Sequence, residues 1–223
     1  MAVKIGHATI DENGKAHSGK AGDNNGKEVC RRDWYKHSKG WNVLRAKYDT
    51  TAEKIAECME KACDNNNVGY DQYQRLTLYN AAAKVGFDVS KVNTAVETDC
   101  SALVRVCLAY AGIMVDNFTT SNEKKIILNT GLFEELNIGG SSDYLKRGDI
   151  LVTKTKGHTV VVLSDGAKVE AATRTYIVKS GDSLWKIAKN ELGKGIRYPE
   201  IKKLNGLNSN TIRVGQVLKL PEK

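Results

Sequence analysis

The order of periodicities along the chain predicts an α+β fold, because helical segments come first and short β-branched runs follow. Two further observations shape that prediction. Residues 173–223 repeat a strand–helix–helix–strand grammar in miniature, and they hold 11 Lys+Arg against 4 Asp+Glu, whereas residues 1–172 hold 23 against 22. The chain is therefore expected to divide into domains 1–172 and 173–223, with net charges of +1 and +7. Its 223 residues are 41% hydrophobic and 27% charged, an ordinary globular composition that excludes a disordered or fibrous chain. No window approaches the ~18 uninterrupted apolar residues of a membrane span. The longest near-miss is Val106 to Val115. The start of the chain lacks a charged-then-apolar export signal, so the protein is expected to begin in the cytoplasm. Five Cys without a C-x-x-C pair argue against a disulfide framework or structural zinc, and no metal or cofactor is expected.

Residues 1–48 are rich in Gly, Asn and Lys without a sustained period, and read as loop pinned by Trp34, Tyr35, Trp41 and Val43. A helix follows Asp49, where Thr50 and Glu53 have capping-box spacing and Ala52, Ile55, Ala56, Met59 and Ala62 make one apolar face. Another is expected from Asp71 to Lys84, stopping at Gly86. A third follows Thr98-Asp99, either of which can cap it, with Leu103, Val104, Cys107, Tyr110 and Ala111 inward and Gly112 past its end. Ser121 to Thr130 is a shorter fourth, stopped by Gly131. After Gly148 the runs Asp149–Thr153, His158–Leu163 and Lys168–Ala172 read as strands, with Ser164-Asp165-Gly166 marking a hairpin. The tail gives a strand at Tyr176–Val178, a helix from Ser183 to about Leu192, a helix from Pro199 to Leu204, and a strand at Val217–Leu220.

Cys100 falls in the first turn of the third helix, where unpaired N–H groups and the macrodipole favour an anion and can lower a thiol pKa. The competing reading of any Cys is a buried structural thiol, as Cys107 is expected to be; Cys30, Cys58 and Cys63 have no catalytic context. A thiolate attacking an amide needs a base and a group that orients the base. Among four His, His158 stands at the mouth of the sheet, while His7, His17 and His37 lie in the loop-like N-terminal region and receive no catalytic role. If the hairpin loop is the three residues Ser164–Gly166, with Gly166 left-handed, Val160 pairs with Glu170 and Glu170 shares a face with His158. With a two-residue loop Glu170 faces the other way.

The ordered set Asp99-Cys100-Ser101-x-Leu103-Val104, Arg147-Gly148-Asp149-Ile150-Leu151 and His158 through Gly166 resembles the NlpC-type, papain-like peptidoglycan hydrolases over about residues 70–172. The resemblance implies that Cys100 is the nucleophile, His158 the base and Glu170 the orienter, although that third place is commonly His, Asn or Gln in the family. It also implies a Tyr near the oxyanion, for which Tyr70 in Val68-Gly69-Tyr70-Asp71 is the best match. The N-terminal stretch is similar to the opening of some bacteriophage lysins that carry this kind of domain.

Tyr176 through Ala188, Ile201 through Gly206 and Ile212 through Pro221 resemble a LysM domain along its whole length. That likeness implies binding of N-acetylglucosamine-containing glycan in a shallow groove, with Gly181, Asp182, Ser183 and Leu184 as one wall and Leu207, Asn208 and Ser209 as the other. Helical spacing at the same time assigns Leu184, Ile187, Leu192, Ile201 and Leu204 to the core. The charge of the tail should also attract anionic wall polymers, in a salt-sensitive way. Nucleic-acid binding is not expected, since the tail lacks an aromatic platform or helix-turn-helix. The expectation is an endolysin-like enzyme that cleaves peptidoglycan at an amide bond once released to the wall, either as N-acetylmuramoyl-L-alanine amidase or as stem-peptide endopeptidase. The alternative is a non-catalytic wall-binding protein.

Overall fold

Val3, Ile5 and Val43 alternate with residues facing the opposite way, and this period of two makes sheet of the stretch expected to be loop. The structure, a computed structural model, describes residues 2–22, 26–169 and 174–221. In chain order the elements are β1 (Lys4–Ala8), β2 (Val29–Asp33), β3 (Trp41–Ala46), α1 (Asp49–Asp64), β4 (Val68–Tyr70), α2 (Thr77–Ala83), β5 (Val96–Thr98), α3 (Cys100–Tyr110), α4 (Glu123–Asn129), β6 (Phe133–Leu136), β7 (Ile150–Thr153), β8 (Thr159–Val162), β9 (Arg174–Ile177), α5 (Leu184–Leu192), α6 (Tyr198–Leu204) and β10 (Val217–Leu220). The fold is α+β, and the chain forms two units, residues 1–169 and 170–223.

In the first unit a six-stranded antiparallel sheet has the order β2-β1-β8-β7-β3-β6. One face of the sheet packs on α1 and α3 through Leu44, Ile150, Val152 and Val161, joined by Ile55, Met59, Leu103 and Val104. Burial of each such side chain contributes roughly 1.5–3 kcal/mol. The other face carries a smaller apolar layer of Val3, Ile5, Val43, Leu151, Val160 and Val162, backed by Trp34, Tyr35 and Trp41.

The apolar face predicted for α1 is buried as expected, but its start is not capped by Thr50; the N-cap is Tyr48, without a side-chain bond. Glu53 is drawn away by Arg147, which bonds both Glu53 and Glu60. The second helix begins at Thr77 and not at Asp71, because the Asp71 carboxylate takes the N–H groups of Ser18, Tyr73 and Gln74 and holds a turn there. Arg147-Gly148-Asp149 proves architectural: Gly148 has φ +86° with the Ala52 backbone against it, and buried Asp149 pairs with Arg45.

The hairpin expected after β8 does not form. Both edges of β8 are taken, by β7 and β1, and Gly166 and Lys168 instead donate their N–H groups to Leu145 and Asp143. Gly166 is not left-handed, so the bulged turn that would have aligned Glu170 with His158 is absent.

In the second unit, β9 and β10 pair antiparallel and α5 and α6 cover them. Ser183 caps α5, and Leu184, Ile187, Leu192 and Ile201 are core as spaced. Leu204, also expected inside, is 37% exposed.

Candidate active site

Asp99 builds the start of α3. Its Oδ1 accepts from the Ala102 N–H (2.6 Å) and the Ser101 hydroxyl (2.9 Å), and its Oδ2 from Arg75 Nε (2.5 Å). Arg75 also donates to Ser101 Oγ and the Phe118 carbonyl, so the cap is fixed from two sides. Cys100 follows as the first helical residue, 7% exposed. Its sulfur accepts from the Thr159 and Ser101 N–H groups, but burial, followed by the Asp99 and Glu123 carboxyls, pushes the thiol well above its ordinary range. Desolvation thus outweighs the helix N-terminus that suggested a lowered value, and the resting thiol keeps its proton.

Thr159 opens β8 directly after His158, so the bond from its N–H brings Cys100 to the strand end where His158 sits. The His158 N–H donates to Thr153 Oγ1 (3.1 Å), and its ring is flanked by Trp41 at 6.3 Å between centroids. His158 Nε2 lies 3.0 Å from Nδ1 of His7, a buried residue on β1. Strand register explains the contact: Ile5 pairs with Val162 and Gly6 with Val161, which carries His7 diagonally past His158 on the same face. Burial first, then a neighbouring imidazole and the Arg32 guanidinium, depresses His7 to about 3 and His158 to about 4, so both rings are neutral near pH 7. One proton is then shared between the two nitrogens. If His158 supplies it from Nε2, His158 Nδ1 is left as a free acceptor.

His7 is the site residue that sequence reasoning missed. The apolar alternation of Val3 and Ile5 into His7 was the available signal. Glu170, the expected orienter, lies outside the described residues. Tyr70 is brought in: β4 pairs in parallel with β5, setting Tyr70 beside Thr98 and closing the thirty-position gap to Cys100. Burial first, then the Cys100 sulfur, pushes the Tyr70 phenol up to about 12. Among the described residues, no cluster of three or more His, Cys, Asp or Glu is arranged to hold a metal ion.

On the sheet face turned away from the helices, Trp34, Lys36, Trp41, Asn42, Ile138 and Lys154 line part of an open cavity of about 600 Å³. Trp41 belongs to both the cavity and the His158 surroundings.

In the second unit Asp182 Oδ2 accepts from the Lys179 N–H and the Tyr176 hydroxyl, both at 2.8 Å, shaping the loop of Gly181 (φ +81°). Ser183, Asn208 and Ser209 are exposed, and Leu207 is half-buried against the core. Leu184 is 2% exposed, so its side chain belongs to the core, as its helical spacing predicted.

Fold and site together define a two-module chain: an α+β unit with a thiol and paired imidazoles at one sheet end, followed by a βααβ unit. Residues 5–169 match the family described as endolysin-like domain, and residues 176–221 match the LysM domain. The chain belongs to the endolysin-like domain family and carries a LysM domain. Over 46 residues (21% of this chain, 13% of the relative) it is 65% identical to the probable peptidoglycan endopeptidase LytE of Bacillus subtilis strain 168. An autolysin of Enterococcus faecalis is 37% identical over 81 residues, 33% of this chain and 10% of its own. N-acetylmuramoyl-L-alanine amidase sle1 of Staphylococcus haemolyticus is 41% identical over 71 residues, 32% of this chain and 20% of its own. The chain thus spans a fifth or less of the length of these curated relatives.

Proposed function

We propose that this protein is a cysteine-type peptidoglycan hydrolase held to the wall by its LysM domain. The observation that carries the reading is the contact of His7 with His158 next to Thr159, whose N–H donates to the Cys100 sulfur. Cys100 attacks the amide carbonyl while His158 Nδ1 takes the thiol proton. His158 Nε2–H donates to His7 Nδ1, so His7 fills the orienting place first assigned to Glu170. The oxyanion faces the Cys100 N–H and the Tyr70 hydroxyl. His158 then protonates the leaving amine, and a water deprotonated by the same imidazole hydrolyses the thioester.

Relatives named as endopeptidase and as amidase leave both bonds in play. Mass spectrometry of digested walls separates them, since only an amidase frees the lactyl carboxyl of muramic acid. Gly181, Asp182, Ser183, Asn208 and Ser209 would meet the glycan, and the basic tail would add a salt-sensitive attraction to anionic wall polymers. Tethering raises the effective concentration of the catalytic unit at its polymer.

The test is lysis of purified walls. Cys100→Ala should abolish lysis and keep wall pull-down. Lysis by Cys100→Ala at the parent rate would refute the nucleophile, and a parent that binds walls without lysing them would leave the non-catalytic wall-binding reading.

A further inference from the structure

Arg32 lies on β2 directly opposite Ile5, on the sheet face that also carries His7. Its guanidinium carbon is held 4.6 Å above the Tyr35 ring. Tyr35 in turn meets Trp41 edge-on at 5.8 Å, and Trp41 flanks His158. A stack of this kind fixes a guanidinium without neutralising it. Arg31 is tied to Asp64, Arg45 to Asp149, Arg75 to Asp99 and Arg147 to Glu53 and Glu60, whereas Arg32 forms no ion pair with an Asp or Glu among the described residues; Arg105, stacked on Tyr79, shares that feature but lies away from the imidazoles and gives its Nε–H to the Val115 carbonyl. Arg32 is also the permanently charged side chain that bears on both His7 and His158. A fixed, unneutralised fork of N–H donors beside the reacting groups is suited to a carboxylate.

We propose that Arg32 is a specificity-determining residue that binds a free carboxylate carried by the peptide next to the scissile amide, so that the enzyme favours stem peptides bearing that carboxylate over their carboxamide forms. The proposal rests on the hydrolase reading above and adds to it the chemical class of the substrate.

The experiment uses two synthetic muropeptides that differ only in carboxylate or carboxamide beside the scissile bond. Binding is read by titration calorimetry on the full chain carrying Cys100→Ala, which separates recognition from turnover. Adding Arg32→Ala should weaken the carboxylate form by about 10- to 100-fold and the carboxamide form by less than about 2-fold, with Arg32→Lys between. Equal weakening of both forms would mean that the guanidinium only props Tyr35 and would overturn the proposal. So would unchanged binding of both, or binding of neither form by the Cys100→Ala protein. If the carboxylate preference holds while the parent hydrolyses neither muropeptide, the hydrolase reading fails and the recognition site stands.

Discussion

Replacing Glu123 by Gln is expected to stabilise the first unit at neutral pH. Glu123 has no exposed surface, and its Oε1 lies 2.6 Å from the Thr159 hydroxyl, while Oε2 meets no hydrogen-bond partner among the described residues. The same hydroxyl is 3.0 Å from the Leu151 carbonyl oxygen. A hydroxyl has one proton and a carbonyl only accepts, so both contacts are satisfied when Glu123 is a neutral carboxylic acid. Burial, with a smaller push from Asp99, accordingly raises this carboxyl from 4.5 to about 8. A folded pKa above the unfolded one gives stability that is complete below pH 4.5 and lost as pH climbs toward 8. At pH 7 the gap of 2.5 pH units from 4.5 corresponds to a cost of up to ~3 kcal/mol. Gln avoids that cost, and should raise the unfolding temperature by up to roughly 6–12 °C at pH 7 for a unit of this size. The assay is thermal unfolding by circular dichroism at pH 5, 7 and 8, with the difference between variant and parent small at pH 5 and growing upward. A difference independent of pH, or a less stable variant at pH 7, would refute the reasoning.

His7→Ala should lower wall hydrolysis by on the order of 10² to 10³-fold, with partial rescue by His7→Asn, whose Oδ1 can replace Nδ1 as acceptor. If His158 is the base, as proposed, parent activity should be present above and lost below its depressed value of about 4; dye release from labelled walls with a midpoint near 6.5 would contradict this. Gly148→Ala should cost at least ~3 kcal/mol in urea unfolding, since φ is +86° and the new Cβ would stand 2.3 Å from the Ala52 carbonyl oxygen of α1. Gly86→Ala, at φ +67° with open space around it, should cost only ~1 kcal/mol, and equal losses at the two positions would remove the close-approach argument.

Local pattern carried much of the architecture. The helical faces of α1 and α3, the Asp99 cap and the four elements of the second unit are set by residues within a few positions of one another, and all were legible. What failed depended on distant partners. β1 and β2 are five residues each in a Gly-rich stretch, and β1 takes its place beside β8 through Ile5–Val162, a pairing no local window contains. His7 was overlooked for the same reason, since only that pairing sets it against His158. The hairpin that would pair Val160 with Glu170 needs a free edge on β8, and both edges are occupied by β1 and β7. The capping box at Thr50 lost to Arg147, a residue of the loop before β7.

The position of β8 has a consequence for biosynthesis. This strand emerges last of the six yet lies between β1 and β7, so until residue 162 has been made the sheet exists at most as two separate ribbons, β2-β1 and β7-β3-β6. Each ribbon then presents a raw backbone margin to its surroundings, an invitation to illicit pairing with other chains. Insertion of the late strand seals both margins and in the same act assembles thiol and imidazoles. A hydrolase of the kind proposed would be inert on the ribosome and become competent only when its keystone is seated.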